Sequence, residues 1–170
     1  EGVLTQVSGG IWIQHSGTAG PLDVRNGALQ LTQAESEDAF AWLAGRPYMP
    51  EKGLTLYARL TLQYSALPSG ADGTYFAHFK EAATNFRCRL YASTNGAPAG
   101  QFRLGLANGV TGPAQYFPRD LQLHTPYTVV VRYAIDTDFS ALWIDPTAES
   151  DPRVEAVDAS TPIEVAAWAV

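Results

Sequence analysis

Sulfur is almost absent from this chain: 170 residues hold one cysteine, Cys88, and one methionine. A single cysteine excludes an internal disulfide, so the fold must rest on burial and hydrogen bonding. Cys88 stands between Phe86 and Leu90 in a predicted strand, on the side those two share, and reads as a small buried hydrophobe. A catalytic thiol needs a histidine partner, and His78, the nearest, sits in no recognisable motif. Positive charge is scarce as well. Eleven Lys and Arg against 17 Asp and Glu give a net charge of -6. That balance argues against a nonspecific nucleic-acid partner, which needs a basic footprint, and against docking on anionic lipid.

Other absences narrow the field further. No apolar run approaches the ~20 residues that cross a bilayer, so direct membrane insertion is not expected. An initiator methionine is missing, and the opening Glu1-Gly2 is what a processed or trimmed polypeptide would show. His15, His78 and His124 lack zinc spacing, and phosphate-cradling glycine loops and nucleophile elbows are missing. Helix-period windows, internal repeats and low-complexity segments are not found either. Glu35-Ser36-Glu37-Asp38 is the one tight carboxylate cluster. Paired carboxylates can hydrolyse glycosides, but Glu37 and Asp38 are adjacent and in a strand would point to opposite faces. The cluster reads as a solvated loop.

What the chain does carry is alternation. Tyr127, Val129, Val131 and Tyr133 fall on one side of a run whose other side holds Thr128 and Arg132. A period of two in β-branched and aromatic residues is a half-buried strand. The acidic loop Asp136–Asp138 and the following Ala141–Pro146 then predict its hairpin partner. Leu54–Leu62 is the longest clean alternation; Tyr75–Lys80, Phe86–Ala92 and Gln101–Ala107 follow the same rule. Ile11–Ile13, Ala28–Leu31 after the Asn26-Gly27 turn, Ala39–Ala44, Gln115–Phe117, Val154–Val157 and Pro162–Val170 are weaker strands. Ser65–Gly73 and Asn108–Pro113 read as loops. About ten to twelve short strands at this spacing predict one all-β domain over residues 1–170, built as a two-sheet antiparallel sandwich.

The charges are sorted by context. Arg59, Arg87, Arg89, Arg103 and Arg132 lie within predicted strands, whereas the acids fall mostly in loops or at strand ends. Arginines on the polar side of several strands can converge on one sheet face and recognise an acidic or hydroxyl-rich ligand through their fixed forks of donors. Arg59 stands beside Tyr57, and Tyr91 shares a side with Arg87 and Arg89. The plain alternative is a solvated face whose arginine stems cover the sheet, with the arginines divided between two sheets. Asp136 and Asp138 offer two oxygens to calcium, without the glycine-punctuated spacing of a helix-loop-helix site; solvated turn acids are the ordinary reading. His78 shares a strand side with Phe76, where a packed histidine is ordinary. Trp12, Trp42, Trp143 and Trp168 read as core, though an exposed one would stack on a sugar ring.

Trp12 with His15-Ser16-Gly17, Tyr75–Phe79, Asn85–Arg89, Phe102–Gly105 and Tyr127–Tyr133 with Leu142–Pro146 occur in that order. Together they resemble the concanavalin A-like, or laminin-G-like, jelly-roll domains of secreted and surface proteins of environmental bacteria. The resemblance implies two curved antiparallel sheets, a secreted, cell-surface or periplasmic location, and binding or structural roles. The enzymes of that superfold carry Glu-x-Asp-x-x-Glu on a strand, a pattern this chain lacks. Relatives also continue beyond the segment matching Pro162–Val170 into a further closing strand. The expectation is therefore an edge left without its neighbour, either because the chain is a fragment or because another subunit completes the sheet.

Three functions follow, in order. The first is a non-catalytic extracellular or surface module that binds glycan or matrix polymer through Arg59, Arg87, Arg89, Arg103 and His78, with Tyr57 or Tyr91 stacking. It requires no cofactor, and calcium at Asp136 and Asp138 is its one metal option. The second is a structural or assembly subunit of a surface layer, filament or envelope complex, for which the apolar Val165–Val170 tail needs neighbouring protein subunits. A glycoside-active enzyme comes last.

Overall fold

A computed structural model describes residues 1–70, 72–109, 112–113, 115–158 and 161–170. The loop expectations at Ala71, Val110 and Thr111 lie outside the described residues. In chain order the strands are β1 (Gly2–Val3), β2 (Trp12–Ser16), β3 (Asp23–Arg25), β4 (Ala28–Gln30), β5 (Asp38–Trp42), β6 (Thr55–Leu62), β7 (Thr74–Lys80) and β8 (Phe86–Ser93). There follow β9 (Gln101–Ala107), β10 (Gln115–Tyr116), β11 (Leu121–Gln122), β12 (Tyr127–Ala134), β13 (Phe139–Ile144), β14 (Val154–Ala156) and β15 (Ala167–Ala169). One helical turn, α1 (Leu4–Val7), lies between β1 and β2.

The strongest alternation builds the most regular sheet. β12 pairs along its whole length with β6 and along most of it with β13, and β14 closes the order β14-β13-β12-β6. The large sheet runs β10-β9-β8-β7-β15-β5-β2, with β11 also on β9. All pairings are antiparallel. The two sheets share one core: Phe79, Cys88, Leu90, Phe102, Leu104 and Leu106 of the large sheet meet Val129, Val131, Tyr133, Leu142 and Ile144 of the small one. Each fully buried large apolar side chain there contributes about 1.5–3 kcal/mol. A third sheet, β1-β3-β4, joins α1 in a satellite cluster around Leu4, Leu22 and Ala39; its β3–β4 turn is the expected Asn26-Gly27, both residues at positive φ. The chain is thus an all-β protein of antiparallel sheets, in keeping with a β-sandwich.

The expected strand faces fail at one place in the large sheet. Cys88 has φ +55, and the β7–β8 register slips between the Ala77–Leu90 and Phe79–Arg87 pairs. A bulge of this kind resets the alternation. Cys88 and Leu90 keep to the core as expected, but Phe86 turns to the outer face and Arg87 turns inward. Phe76 and His78 part in the same way: Phe76 packs on the core while His78 stacks with Phe86 outside it.

The C-terminal segment lies inside the large sheet. β15 is not an edge. It lies between β5 and β7, bonded to both, and Val165, just before it, exchanges backbone hydrogen bonds with Tyr48. Val165 is in the core, and Trp168 and Val170 pack against it. The tail that was expected to need another subunit is covered by its own chain.

Candidate functional site

The outer face of the large sheet is built across β5, β15, β7 and β8. β5 turns Phe40 and Trp42 outward, β15 contributes Ala167 and Ala169, and β7 contributes His78 and Lys80. β8 adds Phe86, Arg89 and Tyr91. The alanines of β15 leave the centre of the face low. Lys80 reaches across them and sets its ammonium 4.5 Å from the Phe40 ring centre. Its side chain is only 1% exposed, and among the described residues the ammonium has no hydrogen-bond or ion-pair partner. Burial lowers its pKa, opposed by the charge of Glu81.

His78 is the second buried base. Its ring lies 4.1 Å from Phe86 and 5.5 Å from Tyr75, and its Nδ1 is buried without a hydrogen-bond partner. Burial first, and then the positive charges of Arg89, His15 and Lys80, push its pKa down to about 3. His78 is therefore neutral at pH 7. The Arg89 guanidinium sits 5.2 Å from Phe86 and 5.6 Å from Tyr75. His15 closes the cluster edge-on to Phe40 and Phe86. Tyr75, at 38% exposed, is the ring that faces solvent most openly.

At one end this face opens into a cleft of about 560 Å³ lined by Trp42, Arg46, Pro47, Ala82, Glu164 and Ala166. Trp42 is half-buried, with the Arg46 guanidinium 4.1 Å over its ring. Expecting core packing for every tryptophan missed this one. A signal was present in Ala39-Phe40-Ala41-Trp42, where large and small residues alternate strictly and so place both rings on one face.

A second cleft, of about 270 Å³, lies on the outer face of the small sheet, with Tyr57, Arg59, Val130, Trp143 and the Pro146–Glu149 loop around it. Tyr57 donates to Glu149 at 2.8 Å, and Arg132 also pairs with Glu149. Trp143 lies under the Arg132 and Arg153 guanidinium groups at 5.4 and 5.7 Å.

The strand arginines therefore do not converge. Arg59 and Arg132 belong to the small sheet, Arg89 and Arg103 to the outer face of the large sheet, and Arg87 to neither surface. Arg87 is a correction: it is buried, bonds Asp138 at 2.8 Å, and also donates to the Phe86 and Thr161 carbonyls. Asp138 is a correction for the same reason. Its Oδ1 accepts from Arg87, from Asn108 at 2.9 Å and from Tyr133 at 2.7 Å, inside the protein, while Asp136 is exposed and accepts the Gly53 amide. The two carboxylates serve different partners, and among the described residues no three metal-ligating groups converge. Tyr91 is only 3% exposed, with its hydroxyl accepting the Gly112 amide, so it is no stacking platform. Arg103 is partly neutralised by Asp120 at 2.6 Å.

These surfaces offer π faces, guanidinium groups and apolar floor. His78 on this face is uncharged and buried, and in the core burial pushes the Cys88 thiol up to about 12. Glu37 and Asp38 each accept a local hydrogen bond, from the Leu22 amide and the Ser16 hydroxyl. No protein-family model, curated protein or solved structure matches this chain.

Proposed function

We propose that this chain is a non-catalytic module that binds a glycan or matrix polymer on the outer face of its large sheet. The observation that carries this reading is Trp42, set beside an open cleft of about 560 Å³ with Arg46 stacked on its ring. The indole supplies an aromatic wall for a sugar's apolar C–H groups, and the guanidinium stacked on it donates to hydroxyls or carboxylates. Tyr75, Phe86 and Arg89 extend the same chemistry along the face, as a polymer needs. Lys80 biases the centre of that face against cationic ligands, because among the described residues its ammonium makes no ion pair.

The sandwich is, on this reading, a concanavalin A-like jelly roll working outside the cytoplasm. The assembly-subunit reading drew on the early stop and on the apolar tail, and the tail is paired within its own chain.

A glycan array probed with the full chain, in calcium and again in chelator, tests the proposal. Chelator-insensitive hits are expected, reduced about tenfold or more in Trp42→Ala, the loss typical of a central aromatic anchor. An array silent in both conditions, or one on which Trp42→Ala binds as the parent does, overturns it.

A further inference from the structure

On the opposite side of the sandwich, we infer that the cleft between β6 and the Pro146–Glu149 loop is a separate binding site for one carboxylate-bearing sugar unit, held by Arg59 against Tyr57 and Val130. The inference does not rest on the large-sheet reading.

The local charges single out Arg59. Three arginines stand on or near this face. Arg132 is paired with Glu149, and Arg153 with Glu155 at 2.6 Å. Arg59 is exposed, and among the described residues no carboxylate lies within ion-pair distance of it. Register puts it directly across from Val130, which in turn faces Trp143, so its guanidinium borders an apolar floor. A free fork of donors beside such a floor matches a carboxylate carried on a compact apolar ring face.

The rest of the cleft is already set. Tyr57 has its hydroxyl engaged by Glu149, which leaves its ring as what it offers an occupant. The loop wall is held by Asp151, whose carboxylate accepts the Thr147 amide at 2.6 Å and the Ala148 amide at 3.0 Å. The Trp143 indole donates to the Glu149 carbonyl at 3.3 Å, tying the loop to the sheet. A wall fixed before binding costs little ordering when the ligand arrives. The volume of about 270 Å³ lies just below the ~300–1,000 Å³ of drug-sized sites, so the occupant is a single ring, such as a uronate at a chain end or branch.

The test is an NMR titration of the full chain with glucuronate, glucose, acetate and an N-acetylated dipeptide, following the Trp143 indole N–H. Glucuronate is expected to shift that signal saturably, with glucose and acetate each at least about tenfold weaker. Arg59→Gln should weaken glucuronate about tenfold, and Arg59→Lys, which keeps the charge but not the fork, should fall between. Trp42→Ala should leave glucuronate binding unchanged, which separates this site from the large-sheet face. Glucose or acetate binding as well as glucuronate overturns the inference, as does an Arg59→Gln protein that melts normally and binds normally. A dipeptide that outcompetes glucuronate overturns it too, in favour of a peptide terminus.

Discussion

Arg87 and Arg89 stand two positions apart on β8, and strict alternation would give them the same surroundings. The left-handed backbone at Cys88 separates them: Arg89 lies among Phe86 and Tyr75, while Arg87 enters a buried network with Asp138, Asn108, Tyr133 and Ser140. That network ties β8 of one sheet to β12 and β13 of the other. Removing one partner of such a pair leaves an uncompensated buried charge, at a cost of about 3–5 kcal/mol. Arg87→Ala should lose that much stability in chemical denaturation, whereas Arg89→Ala, which is only half-buried, should lose about 1 kcal/mol or less. Equal losses would mean that the two arginines share one environment after all. The sequence hides this distinction because the positive φ falls on a cysteine. Glycine, asparagine or aspartate is the usual marker of a left-handed residue, and Asn26-Gly27, where both appear, was legible as a turn.

At the scale of elements, legibility follows the strength of side-chain patterning. β6, β7, β8, β9 and β12 carry long alternations of apolar and polar residues, and the expected strands agree with the observed ones to within about two residues. The two-residue strands β1 and β11 and the three-residue β3 have too few side chains to show a period, whereas the equally short β4, β10 and β14 fall within expected runs. β15 is the instructive case. Its Ala-Trp-Ala is a poor strand signal because alanine contributes little to β-propensity. Yet it sits in the middle of the large sheet, where small residues let Lys80 and Phe40 meet above it. An edge strand can be lost with modest damage, but a central strand cannot. Deleting residues 165–170 should therefore abolish cooperative thermal unfolding followed by circular dichroism, since β5 and β7 lose their shared partner. A truncated chain that still melts cooperatively within a few degrees of the parent would make β15 peripheral.

For the molecule as a whole, strand order decides which side chains share a surface, and order is the part a single sequence does not encode in its periodicity. Tyr57 and Arg59 were legible as a pair because they lie on one strand; Trp42, Lys80 and Phe86 were not, because they lie on three. The same assembly also fixes how the protein answers acid. His78 is held neutral by burial and by neighbouring Arg89, His15 and Lys80, with Tyr75 beside it on β7, Tyr91 and Phe86 on β8, and only alanines facing it from β15. Asp38, on β5, acts on this cluster through Tyr75. With a folded pKa of about 3 against 6.5 unfolded, the unfolded chain binds the extra proton between those values. Stability from this group is thus complete above pH 6.5 and declines as pH falls towards 3, by about 2 kcal/mol at pH 5. Glu149 and Asp151 act in the same direction but later. Their folded pKa values are depressed, the first by Tyr57 and Arg132 and the second by the Thr147 and Ala148 amides, so their contribution fades only below the ordinary carboxylate range. The interval from pH 6.5 to 5 therefore isolates the histidine from these carboxylates. Urea denaturation at pH 7, 6 and 5 should show stability falling across that interval, and His78→Phe, which keeps a ring against Phe86, should remove most of the fall. An unchanged slope in the variant would mean that His78 keeps its proton acceptor accessible and is not the group that makes the native sandwich acid-sensitive.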